Sequence, residues 1–97
     1  MYYVYVLQSS KDGEFYIGYT TNLRERLHQH NAGKSAATKR GAPYILVYYE
    51  AYRAQKDAIV REKKLKYHGQ GIRRLKERIT ESINDASCVR GKGEMAR

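Results

Sequence analysis

A chain of 97 residues and 11.3 kDa has room for one small domain, and its net charge of +9 with a pI near 9.8 favours a polyanionic partner. Its single cysteine, Cys88, excludes a disulfide framework or a cysteine-rich metal site within one chain, so a reducing, cytoplasmic setting with no disulfide partner is expected. The N-terminal apolar run, Met1 to Leu7, is too short for a membrane span and lacks the basic lead-in of a signal peptide.

In chain order, Tyr2 to Leu7 is aromatic and β-branched and reads as a strand. Ser9 to Gly13 is a turn in which Asp12-Gly13 favours positive φ, and Glu14 to Tyr19 returns as an antiparallel partner. The hairpin brings Tyr5 and Tyr16 near each other, either as sheet filler or as two phenols flanking a phosphate.

A helix follows. Asn22 is suited to cap it, Glu25 completes a capping-box pattern, and Asn31-Ala32-Gly33 ends it. With Leu23 at zero and about 100° per residue, Leu27 falls near +40°, His30 near −20° and Arg26 near −60°. Arg26 and His30 therefore border the packed face, as a snorkelling arginine and a half-buried histidine or as functional groups.

Residues 34–43 interleave small residues with Lys34, Lys39 and Arg40 and read as a mobile basic loop. Tyr44 to Tyr52 is the clearest strand, and its near-continuous apolar run predicts the central position of a three-stranded sheet. Residues 54–68 form a second helix on which Glu62 falls about 40° from Ala58, on the face that should pack. A carboxylate there needs a partner, either Lys66 one turn on or a Mg²⁺ ion sharing oxygens with a substrate phosphate.

Gly69-Gln70-Gly71 breaks that helix, and Ile72, Leu75, Ile79 and Ile83 line a third one with a basic outside. From about Asn84 the chain has too little apolar surface to order itself, so residues 1–83 are read as the domain and 84–97 as a disordered tail.

Charge is unevenly placed: residues 1–30, 44–53 and 81–97 each sum to zero, residues 31–43 carry +3 and residues 54–80 carry +6. Lys34, Lys39, Arg40, Arg61, Lys64, Arg73 and Arg74 are accordingly the expected nucleic-acid contacts.

Tyr3-Val4-Tyr5, ten residues, Tyr16-Ile17-Gly18, and then Thr20-x-Asn22-Leu23-x-x-Arg26-Leu27-x-Gln29-His30-Asn31-x-Gly33 resembles the GIY-YIG nuclease family, in its small single-domain bacterial branch. The likeness runs from Tyr3 to about Ile79 and departs at Tyr3, where the family name has glycine, and at Tyr19, where the repair nucleases carry a lysine. It implies an α/β (α+β) domain with a largely antiparallel three-stranded sheet flanked by helices. It also implies endonuclease or phosphodiesterase action on DNA, as in repair or recombination, with one Mg²⁺ or Mn²⁺. In that scheme Glu62, in the pattern Ala58-x-x-x-Glu62, would be the metal ligand and Tyr5 or Tyr16 the base. Arg26 would pair with developing charge, since a guanidinium cannot act as a base, and His30 would be a second acid/base or a phosphate donor. A basic nucleic-acid-binding module without hydrolysis is the alternative.

Overall fold

The computed structural model describes residues 1–33 and 41–92. It contains strands β1 (Tyr2–Ser9), β2 (Phe15–Thr20) and β3 (Tyr44–Tyr52), and helices α1 (Leu23–Asn31), α2 (Gln55–Lys66), α3 (Gln70–Arg78) and α4 (Thr80–Lys92). A single 3₁₀ turn, Tyr67–Gly69, joins α2 to α3.

The sheet is antiparallel throughout, in the order β2-β1-β3. The central strand is therefore β1, not β3 as the apolar run of Tyr44 to Tyr52 predicted. Val4, Tyr5, Val6 and Leu7 are all sealed from solvent, whereas the residues of β3 are half-buried or exposed. An apolar run records that both faces are covered, and an edge strand flanked by helices satisfies that as well as a central one. The β1–β3 register slips between Val6 and Leu7, which face Tyr48 and Leu46 and leave Val47 as the extra residue of a bulge.

Because side chains alternate along a strand, β1 serves two layers. Val4 and Val6 pack with Ile17, Ala58, Leu65 and Leu75 to form the core under α2 and α3. Tyr5 points the other way, to His30 on α1. The α1 cap forms as expected, with Asn22 Oδ1 accepting from the Glu25 amide at 3.1 Å. The reciprocal arm differs: the Asn22 amide is taken by Thr20 Oγ1 at 3.1 Å.

Gly69 ends α2's extension at φ +73°, a left-handed conformation that a side chain would strain. Gly71 has a different role, because a Cβ there would run into the Lys64 carbonyl and the Leu65 backbone. Its absence lets α3 lie tight against α2.

The predicted third helix is two helices, broken at Ile79; of the segment expected as a disordered tail, residues 84–92 are helical and residues 93–97 lie outside the described residues. Ile83 is half-buried and Ala86 is buried, so one turn past Ile79 the apolar spacing persists through a small residue that a composition count passes over. Removing residues 84–97 is accordingly expected to lower the melting temperature by more than about 4 °C, the scale of roughly 1 kcal/mol in a domain this size. An unchanged melting curve would show that α4 contributes nothing to the core.

Candidate active site

Tyr5 stands at the middle of the central strand with Gly18 directly across on β2. A Cβ at Gly18 would collide with the Tyr5 hydroxyl and ring, so the glycine is what lets this phenol lie over β2. The Tyr5 hydroxyl is 2.9 Å from Nε2 of His30, whose ring is fully buried. The Tyr16 ring centre is 6.4 Å from that of Tyr5 and 5.0 Å from that of His30, against which it lies edge-on. Tyr44 closes the group from β3, 6.3 Å from His30.

Helix α1 presents His30 here because its far end is fixed to the sheet. Asn31 donates through Nδ2 to the Tyr44 carbonyl at 3.1 Å and accepts the Tyr44 amide on Oδ1, completing both backbone groups as a neighbouring strand would. One turn back, Arg26 donates to Gln29 Oε1 at 2.8 Å and is half-buried beside Tyr5.

The electrostatics converge on the Tyr5 phenol. Burial raises its pKa above the ordinary 10.0, and the charges of Tyr16 and Glu62 add to this, while hydrogen bonding and charge from Arg26 oppose it. The net direction is upward, so burial outweighs Arg26 and the phenol is held protonated. His30 is shifted down from 6.5, by burial first and then by the Arg26 charge, and is held neutral at pH 7. A neutral ring with Nε2 unprotonated is an acceptor for the Tyr5 proton.

The His30 shift has a consequence for stability. A histidine whose native pKa is depressed binds fewer protons folded than unfolded, so its contribution is complete above about 6.5 and is lost as pH falls through that value towards the native one. The melting temperature should therefore fall between pH 7.5 and 5.5, and His30→Gln should flatten that limb. Parallel curves for the two proteins would contradict it.

Glu62 lies on α2, with its side chain 22% exposed and Oε2 3.0 Å from Lys66 Nζ. Glu62 is thus paired one turn along its helix, which is the first of its two sequence readings, and its charge also acts on Tyr5. Among the described residues no three His, Cys, Asp or Glu side chains gather as a metal cage. The donor set suits a hard cation only in the form Mg²⁺ commonly takes, one carboxylate completed by waters and substrate phosphate oxygens.

The basic residues do not all face outward. Arg61 turns to Glu50 of β3, donating through Nε to both carboxylate oxygens at 3.0 and 3.2 Å and through Nη2 at 3.0 Å. Burial pushes the Glu50 carboxyl up, but hydrogen bonds from Arg61, Tyr48 and Tyr52 outweigh it and hold it below its usual range. Burial, and then the same carboxylate, push Tyr52 up to about 12. Arg61 is therefore a structural partner whose charge is matched by Glu50. Lys64, Arg73 and Arg74 are exposed, while Lys34, Lys39 and Arg40 lie outside the described residues.

Sequence reasoning did not find the Glu50 cluster or the bridging role of Asn31. The first had a signal, since Tyr48, Glu50 and Tyr52 alternate onto one face and an acid between two tyrosines on a covered face requires a cation. The second had none, because the stop of a helix and the clamp on a distant strand use the same asparagine. Tyr19, at the position of the family's lysine, accepts from Gln55 Nε2 at 3.0 Å and stacks on Tyr2, with ring centres 6.4 Å apart.

Residues 1–81 match the model of the GIY-YIG catalytic domain. A UPF0213 protein of Staphylococcus haemolyticus is 40% identical over 80 residues, which cover 79% of this chain and 96% of that protein. One from Haloquadratum walsbyi is 35% identical over 85 residues, covering 87% and 91% respectively. Among solved structures, the solution NMR structure of a UPF0213 protein from Bacillus halodurans is 36% identical, with a TM-score of 0.49 and 84% of each chain covered. With the domain model spanning most of its length and relatives matched nearly end to end, the chain belongs to the GIY-YIG family.

Proposed function

We propose that this protein is a metal-dependent endonuclease that hydrolyses phosphodiester bonds of DNA, in repair or recombination, with a single Mg²⁺ or Mn²⁺. The observation that carries this reading is the convergence of His30, Arg26, Tyr16 and the Glu62 charge on one phenol, Tyr5. Membership of the GIY-YIG family supports it.

Hydrolysis needs a water relieved of a proton, compensation for charge growing on the phosphate, and a stabilised leaving oxygen. Tyr5 takes the proton from the water as its own proton passes to Nε2 of His30, so the phenolate never has to accumulate. The water oxygen bonds to phosphorus, the bond to the leaving oxygen breaks, and that oxygen takes up a proton from solvent. Arg26 pairs with the charge that develops, and as a permanent cation it does so without changing protonation. Glu62 would hold the metal, which when bound supplies Lewis-acid polarisation of the phosphate.

The test is a cleavage screen over duplex, branched and single-stranded DNA with Mg²⁺ or Mn²⁺, with and without chelator. Chelator-sensitive cleavage that Tyr5→Phe reduces more than Tyr16→Phe is expected. A larger loss in Tyr16→Phe would transfer the base to that residue, and binding without cleavage of any substrate would refute the nuclease reading. That last result is what the second reading, a non-catalytic nucleic-acid-binding module, requires. The raised Tyr5 pKa and the Glu62–Lys66 pair are what favour it.

A further inference from the structure

We propose that the cleft between α2 and α3 is a second phosphate site, holding a backbone phosphate of the nucleic acid away from the one that is cleaved. This rests on nucleic acid being the substrate and adds where the uncleaved part of it is held. The cleft has a volume of about 440 Å³. Gln70, Arg74 and Arg78 recur every fourth residue and so form one row along α3, on one wall. Arg61 and Lys64 of α2 form the other. The walls stand close because Gly71 has no Cβ to meet the Lys64 carbonyl.

Charge decides what the cleft suits. Its lining contains no carboxylate, and Arg61 is matched by Glu50 from outside it. The ion pairs among the described residues are Arg61–Glu50 and Lys66–Glu62, so Lys64, Arg74 and Arg78 face one cleft with no carboxylate assigned to them. Three like charges around one hollow repel one another, and an anion placed between them relieves the repulsion. A phosphodiester supplies that anion, with acceptor oxygens matched to guanidinium donors.

The cleft is separate from the Tyr5 site. With Ala58 at zero, Glu62 lies about +40° around α2, whereas Arg61 and Lys64 lie at about −60° and −120°. The two sites therefore occupy opposite flanks of one helix, roughly 10 Å apart by the diameter of a helix with its side chains, which is about three base-pair steps of duplex.

Binding of a duplex of about 20 base pairs, followed by fluorescence anisotropy in chelator across a salt series, tests this without requiring cleavage. Each duplex phosphate contact contributes about 0.9 to the log–log salt slope, so R74A/R78A should flatten the slope by about 1 to 2. R53A/K56A removes the same charge from exposed positions outside the cleft and should keep the wild-type slope. With a cleavable substrate, R74A/R78A should raise KM and leave kcat near wild type. Equal slopes in the two double variants, or no duplex binding by the wild type, would overturn the proposal. So would inorganic phosphate shifting the Gln70–Leu75 amides in NMR spectra while the duplex slope stays unchanged in R74A/R78A, because that assigns the cleft to a small phosphate ligand. If no DNA is cleaved yet the slopes differ as expected, the cleft stands and the nuclease reading fails.

Discussion

Arg26→Ala is expected to lower DNA cleavage by about 10² to 10⁴ in turnover, the scale of losing one preorganised charge stabiliser, with the fold intact. Arg26 reaches three groups at once: Gln29, by a hydrogen bond, and Tyr5 and His30, whose ionisation it shifts. Removing it leaves Tyr5 with burial and the neighbouring charges that raise its pKa, and it takes away one of the two influences that lower His30. The His30 titration followed by NMR should therefore move upward in Arg26→Ala even if no substrate is ever found. Arg26→Lys should restore much of the His30 position but less of the turnover, because an ammonium keeps the charge and loses the planar fork. An unchanged His30 titration, or full turnover in Arg26→Ala, would remove Arg26 from the site and return it to the role of a surface arginine bonded to Gln29.

Glu62→Gln is the second large effect. If Glu62 holds a divalent cation, excess Mg²⁺ or Mn²⁺ should stabilise the wild type by about RT ln(1 + [L]/Kd), roughly 2.7 kcal/mol at a hundredfold excess over Kd, and the glutamine variant by much less. The 3.0 Å pair with Lys66 makes the comparison sharper, since the ammonium and the cation compete for one carboxylate. Lys66→Gln should accordingly keep or increase the thermal response to metal. If Glu62 serves only as the partner of Lys66, none of the three proteins should respond, and the loss of a partly exposed pair should cost at most about 1 kcal/mol. Equal metal responses in wild type and Glu62→Gln would move any metal site elsewhere.

No helix among the described residues is long and apolar enough to cross a membrane. Family membership directs the +9 charge towards nucleic acid, and its division is informative. Of the positive residues of α2 and α3, Arg61 is matched by Glu50 and Lys66 by Glu62, while Lys76 lies over the Phe15 ring at 4.3 Å. A charge count weights these equally with Arg74 and Arg78, although only unmatched charges gain by meeting phosphate.

Local chemistry wrote much of this protein into its sequence. The Asn22 cap and the Asp12-Gly13 turn depend on atoms a few residues apart, and the structure keeps both. The spacing of Tyr5, Tyr16, Arg26 and His30 was legible too, because a hairpin followed by a capped helix leaves few ways to place them. Three features were decided only in the folded molecule. The centre of the sheet fell to β1, since an apolar run reports cover on both faces and not the number of strand neighbours. The C-terminal segment became a helix because Ala86 finds a buried position, which depends on a neighbour far away in sequence. Arg61 became an internal partner because Glu50, eleven residues earlier, turns its carboxylate towards α2. Periodicity places a residue on a face of its own helix; what that face meets is fixed by the packing of whole elements, where burying an unpaired charge would cost more than any local preference returns.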